Sequence, residues 1–132
     1  MDETNGHDPR RLLIVDDEEK VCSLLAEFFA LKGYEVRSVR GGAEAIALSG
    51  AFHPNVVLLD LLMPGMSGID TLRELKRLDP PPKILMLSAA NDERVVQGAL
   101  QLGADFYVCK PTDLGQLAHL VNGFYPAHDI RP

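Results

Sequence analysis

The 132-residue chain has no tryptophan and only two cysteines, Cys22 and Cys109, neither of them in a C-x-x-C pair. Neither a disulfide framework nor a cysteine-based zinc site is expected, and a reducing cytoplasm is the simplest location. Basic side chains are also scarce: 13 Lys and Arg against 19 Asp and Glu leave a net charge of −6. Phosphate backbones are bound mainly through Lys and Arg, so nucleic-acid binding by this domain is not expected. No apolar run approaches the roughly 20 residues that cross a bilayer, which argues against membrane insertion. The opening residues, MDETNGHDPRR, are polar and contain no apolar stretch of the kind found in signal peptides. What the chain does have is 46% hydrophobic and 24% charged residues. That balance, at this length, suits one globular domain with a real core.

Short apolar runs alternate with longer segments of helical period. Leu12 to Val15 is the first run, ending at Asp16-Asp17. Val21, Leu24, Leu25, Phe28 and Leu31 then recur at three- and four-residue steps, as on an amphipathic helix, and Gly33 is a natural stop. Glu35 to Val39 alternates as a strand does, and a short helix is expected from Ala43 to Leu48. Val56 to Leu59 is an unbroken apolar run that ends at Asp60, followed by the loop Met63-Pro64-Gly65-Met66-Ser67-Gly68. A helix through Ile69, Leu72, Leu75 and Leu78 is closed by Pro80-Pro81-Pro82. Ile84 to Leu87 and Phe106 to Cys109 read as strands, Arg94 to Leu102 as a helix, and Asp113 to about Phe124 as a last helix before Pro126. No internal repeat or low-complexity tract interrupts this order. Residues 11–124 are expected to form the domain, with 1–10 a flexible segment and 125–132 a tail or the start of a linker.

Unbroken apolar strands are buried on both faces, which requires a parallel sheet covered by helices on each side. Right-handed crossovers then give a doubly wound α/β sheet of five strands. Ligands of such sheets sit beyond the carboxyl ends of the strands. There the sequence delivers Asp16 and Asp17, Asp60, Ser88 and Lys110. Three carboxylates on one edge repel one another unless a cation lies among them. Oxygen ligands alone point to a hard ion, Mg²⁺ or Mn²⁺.

With these residues in order, the chain resembles the receiver domains of bacterial two-component response regulators. The resemblance rests on Asp16-Asp17, on Asp60 with Met63-Pro64 and Gly68 behind it, on Ser88-Ala89 and on Lys110-Pro111. It implies a flavodoxin-like fold with strand order 2-1-3-4-5. It implies that Asp60 is the phosphoacceptor, taking a phosphoryl group from a histidine kinase or phosphotransfer protein. Asp17 would ligate Mg²⁺ directly, Asp16 largely through water, and the Leu62 backbone carbonyl would add an oxygen. Lys110 would pair with a phosphoryl oxygen, and Ser88 would hydrogen-bond the phosphoryl group once present. Tyr107 matches the aromatic that swings inward in this family, with the partner-binding face on the fourth helix, fifth strand and fifth helix. In relatives, the side chains two positions after the phosphoacceptor and after the switch hydroxyl influence hydrolysis of the phosphate; here they are Leu62 and Ala90.

Plainer readings exist for each residue. The acids could cap a helix, Ser88 could be a turn residue, and Tyr107 a strand aromatic packed on a helix. Cys22 and Cys109 read as small buried hydrophobes. His7, His53, His119 and His128 have no metal-like spacing, and His119, though on a helix, lacks the helical bundle that a phosphotransfer histidine wants. Thr112 stands where the family often has an aromatic, and Gly98, Gly115 and Gly123 would soften the last two helices. Two other functions compete. A small aspartate-nucleophile phosphohydrolase would commonly carry a second acid at the Leu62 position. A flavodoxin-like cofactor binder would need a hydroxyl- or glycine-rich loop where Asp16-Asp17 stands. A receiver-like module that works without phosphorylation is a further alternative.

Overall fold

A computed structural model describes residues 9–125. Ten elements alternate: β1 (Arg11–Val15), α1 (Glu19–Leu31), β2 (Glu35–Val39), α2 (Gly42–Phe52), β3 (Val56–Leu59), α3 (Gly68–Lys76), β4 (Lys83–Ser88), α4 (Glu93–Gln101), β5 (Phe106–Cys109) and α5 (Leu114–Asn122). All neighbouring strands are parallel and lie in the order β2-β1-β3-β4-β5. This is the flavodoxin-like arrangement expected from the sequence.

The apolar runs of β1, β3 and β4 are buried on both faces. Because side chains alternate along a strand, each face collects its own set. Leu13, Val15, Val57, Leu59, Ile84 and Met86 meet α2, α3 and α4, centred on Leu72, Leu75 and Ala99. Leu12, Ile14, Val56, Leu58, Leu85 and Leu87 meet α1 and α5 through Leu25, Phe29, Leu117 and Val121.

The edge strands depart from this. β5 is apolar in sequence but has a neighbouring strand on one side only; Tyr107 and Val108 pack on opposite faces of the sheet, while Phe106 and Cys109 are exposed. The expectation of a buried Cys109 is therefore wrong: the residue sits at the end of an edge strand. Cys22 is buried, as expected. α2 is longer than the expected Ala43 to Leu48. It runs on through Ser49 and Gly50 to bury Phe52 in the core; the buried Ser49 hydroxyl is satisfied by the Ala45 carbonyl at 2.7 Å, and His53 ends the helix in a left-handed conformation. Gly33 follows α1 with φ at +95°, a value that favours glycine. Asp92 and Asp113 cap α4 and α5, accepting from Arg94 N and Gln116 N. Gly98 and Gly115 lie inside those helices and Gly123 at the end of α5. His119 is exposed on α5. Pro126, His7, His128 and most of the two expected terminal segments lie outside the described residues.

Candidate functional site: an acidic pocket at the carboxyl edge

The ladder of the sheet continues one residue past the strands and draws the predicted residues together. Asp16 N donates to Val39 O at 3.2 Å, Asp60 N to Val15 O at 3.0 Å, and Lys110 N to Ser88 O at 2.8 Å. Each strand end is thus pinned to its neighbour by backbone bonds, and the side chains just beyond share one edge. Carboxylate oxygens of Asp16, Asp17 and Asp60 lie within 4.8 Å of one another.

Asp16 and Asp60 are almost fully buried, and each has hydrogen-bond partners. Asp16 accepts from Glu18 N at 2.9 Å on one oxygen and from the Lys110 ammonium at 2.7 Å on the other. Asp60 accepts from Leu62 N at 3.1 Å, and its second oxygen lies 3.4 Å from Lys110. Burial alone would lower the Lys110 pKa. The hydrogen bond and charge of Asp16, and then Asp60, more than offset this and hold it above the ordinary value of 10.5. Even so, three carboxylates face one ammonium. An all-oxygen, under-neutralised, largely buried pocket suits a hard divalent cation better than any other occupant.

The loop behind Asp60 is held closely. Ser67 caps α3, accepting from Asp70 N at 3.2 Å. A Cβ on Gly68 would overlap the Asp60 carbonyl oxygen and Leu61 Cα, so only glycine lets α3 begin against the backbone of Asp60. Leu62 points out, 56% exposed, two residues after Asp60.

Ser88 is fully buried at the end of β4, its hydroxyl oxygen accepting from Ala90 N at 3.2 Å. Tyr107 is half-buried and packs on the α2, α3 and α4 side of the sheet, with its hydroxyl donating to Ala90 O at 2.6 Å. Its pKa is raised, chiefly by burial. The structure therefore brings Asp16, Asp17, Asp60, Lys110 and Ser88 to one edge and sets Tyr107 beside Ser88 through the Ala90 loop. Sequence reasoning missed the Ala90 carbonyl as the partner of Tyr107 and Cys22 as a neighbour of the acid pair. The first is a backbone atom with no sequence signal. The second shows only that a small polarisable residue lies six positions after Asp16.

Known proteins share this fold. The family model of the response regulator receiver domain matches residues 12–122. The regulatory protein AtoC of Escherichia coli K12 is 44% identical over 112 residues, covering 84% of this chain and 24% of AtoC. Sporulation initiation phosphotransferase F of Bacillus subtilis is 31% identical over 116 residues, covering 88% of this chain and 94% of that protein. The chain thus spans about a quarter of the first relative and nearly the whole of the second. Among solved structures, the CheX–CheY–BeF3–Mg²⁺ complex of Borrelia burgdorferi superposes with a TM-score of 0.81 at 28% identity, covering 89% of this chain and 91% of that one. With the fold, the acidic edge and the family match over most of its length, the chain belongs to the response regulator receiver domains of two-component signalling.

Proposed function

We propose that this domain is a phosphorylation-controlled switch whose phosphoacceptor is Asp60. The observation that carries this reading is the Asp60 carboxylate, at the end of β3, with one oxygen held by the Leu62 amide and the other turned toward Lys110. A carboxylate oxygen attacks the phosphorus of a phosphohistidine on a kinase or phosphotransfer protein. The new O–P bond forms as the P–N bond breaks, and the imidazole leaves with the electron pair and takes a proton from solvent. Lys110 pairs with a phosphoryl oxygen and so moves part of its attention from Asp16. Asp17, Asp16, Asp60 and the Leu62 carbonyl would hold Mg²⁺, which would neutralise charge developing on the phosphoryl oxygens. Mn²⁺ suits the same oxygens.

The readout follows from Ser88 and Tyr107. A phosphoryl group on Asp60 offers oxygens to the Ser88 hydroxyl. Drawing Ser88 toward them releases Ala90 N and shifts the loop whose carbonyl holds Tyr107. The face of α4, β5 and α5 then changes for its output partner. A phosphohydrolase is disfavoured because Leu62, not an acid, stands two residues after Asp60. A domain of this charge has no evident nucleic-acid surface, and no described helix is long and apolar enough to cross a membrane, in keeping with work in the cytoplasm.

Treatment with acetyl phosphate and Mg²⁺ should add one phosphoryl group by mass, labile to hydroxylamine, and Asp60→Asn should add none. Uptake by Asp60→Asn at a similar rate refutes the assignment of Asp60, and no uptake by wild type leaves the phosphorylation-independent module. Asp17→Asn should bind Mg²⁺ more weakly and phosphorylate more slowly. Beryllofluoride with Mg²⁺ should shift amide resonances from Ala89 to Tyr107, not only those around Asp60.

A further inference from the structure

Cys22 stands in the first turns of α1 with its thiol turned back toward the helix start, the direction helical side chains take. It is buried, and its sulfur lies 3.2 Å from the Asp16 carbonyl oxygen and 3.7 Å from that of Val39. Val39 O is also the acceptor of Asp16 N. The thiol therefore sits where the ends of β1 and β2 meet the start of α1. The oxygen it reaches belongs to the peptide that joins Asp16 to Asp17, so holding that oxygen fixes the orientation from which Asp17 leaves the chain.

We infer that Cys22 is a positioning residue for the acid pair, its S–H donating to the Asp16 carbonyl and so setting where the Asp17 carboxylate stands for the cation. The inference rests on the reading of Asp16 and Asp17 as metal ligands. Cys22 itself touches neither cation nor phosphate. A residue that only filled space would act differently, and that difference makes the inference testable. Valine keeps the volume and loses the donor; serine is smaller and keeps a donor.

Mg²⁺ affinity is measured by amide-shift titration in wild type, Cys22→Val, Cys22→Ser and Asp17→Asn, each at a temperature where circular dichroism shows it folded. Loss of one hydrogen bond that orients a ligand should weaken Mg²⁺ binding about three- to tenfold in Cys22→Val, with Cys22→Ser within about twofold of wild type. A packing role predicts the reverse order, valine best and serine worst. Cys22→Val binding as tightly as wild type overturns the inference, while the weaker binding of Asp17→Asn would leave the metal site standing. Equal binding by wild type and Asp17→Asn overturns both. Should either Cys22 variant fail to fold, the native thiol still reports. In Cys109→Ser only one S–H stretch remains, and it should lie at the low frequency of a bonded thiol and shift on adding Mg²⁺. A band at the free-thiol position that Mg²⁺ leaves unmoved overturns the inference as well.

Discussion

The two edges of the sheet are built on opposite electrostatic plans. At the amino edge, opposite charges and polar groups are matched. Asp105 accepts from Lys76 and from Ile84 N, each at 2.8 Å, and lies 3.8 Å from Lys83. Arg10 donates to Asn122 at 2.6 Å and its guanidinium faces the rings of Tyr34 and Tyr125. Asn55 ties the starts of β1 and β4 through Arg11 N, Arg11 O and Lys83 N. At the carboxyl edge, three acids lie together, and two of them, Asp16 and Asp60, share one lysine. One edge closes the fold; the other gathers acidic charge that its single lysine does not neutralise. Half-buried charge that is fully paired stabilises the fold, whereas under-neutralised buried charge marks a candidate site for chemistry.

The comparison is broken most severely at the amino edge. Asp105→Ala leaves the Lys76 ammonium and Ile84 N without their partner and should lower stability by about 2 kcal/mol in urea unfolding, with Mg²⁺ affinity unchanged. Asp60→Asn should do the opposite in metal-free buffer. Removing one of three crowded carboxylates while Lys110 keeps Asp16 should raise stability by about 1 kcal/mol, as it abolishes phosphate uptake. Equal destabilisation by both substitutions would erase the distinction between the edges.

A smaller effect concerns how long the phosphate lasts. Leu62 is apolar and exposed beside Asp60, and Ala90 offers only its backbone, so neither side chain can hold a water in line for attack. Self-dephosphorylation should be slow, and Leu62→Asn or Ala90→Glu should speed decay about threefold or more after donor removal. Wild-type decay as fast as both variants would remove this account.

The smallest effect is alkaline. Lys110 is raised by Asp16 and Asp60 against the pull of burial, whereas Tyr34 and Tyr125 are raised chiefly by burial. In each case the folded state holds its proton more tightly than the unfolded chain. Their contributions are therefore intact below the ordinary values of 10.0 for tyrosine and 10.5 for lysine, and fall as pH rises through the folded values. Urea midpoints should be flat to about pH 9 and decline above about pH 10, and Lys110→Met should remove only the carboxyl-edge part of that decline.

The sequence by itself determined the architecture, because unbroken apolar runs such as Val56–Leu59 can be satisfied only between two layers of helix. It also determined the members of the acidic edge, since a residue one step past a parallel strand must stand at the sheet's ligand-binding end. Local rules reached the stop at Gly33. Tertiary structure decided the rest. It exposed Cys109 by placing β5 at an edge, and it carried α2 past Gly50 to Phe52. It paired Lys110 with Asp16 more closely than with Asp60, and it aimed Tyr107 at the Ala90 carbonyl. It also set the Cys22 thiol against the Asp16 carbonyl. The physical reason is common to all of these. Apolar burial follows from residue type and period, which a sequence displays. Hydrogen bonds and ion pairs between distant side chains and backbone atoms depend on distances of a few ångströms, and those are fixed only when the layers pack.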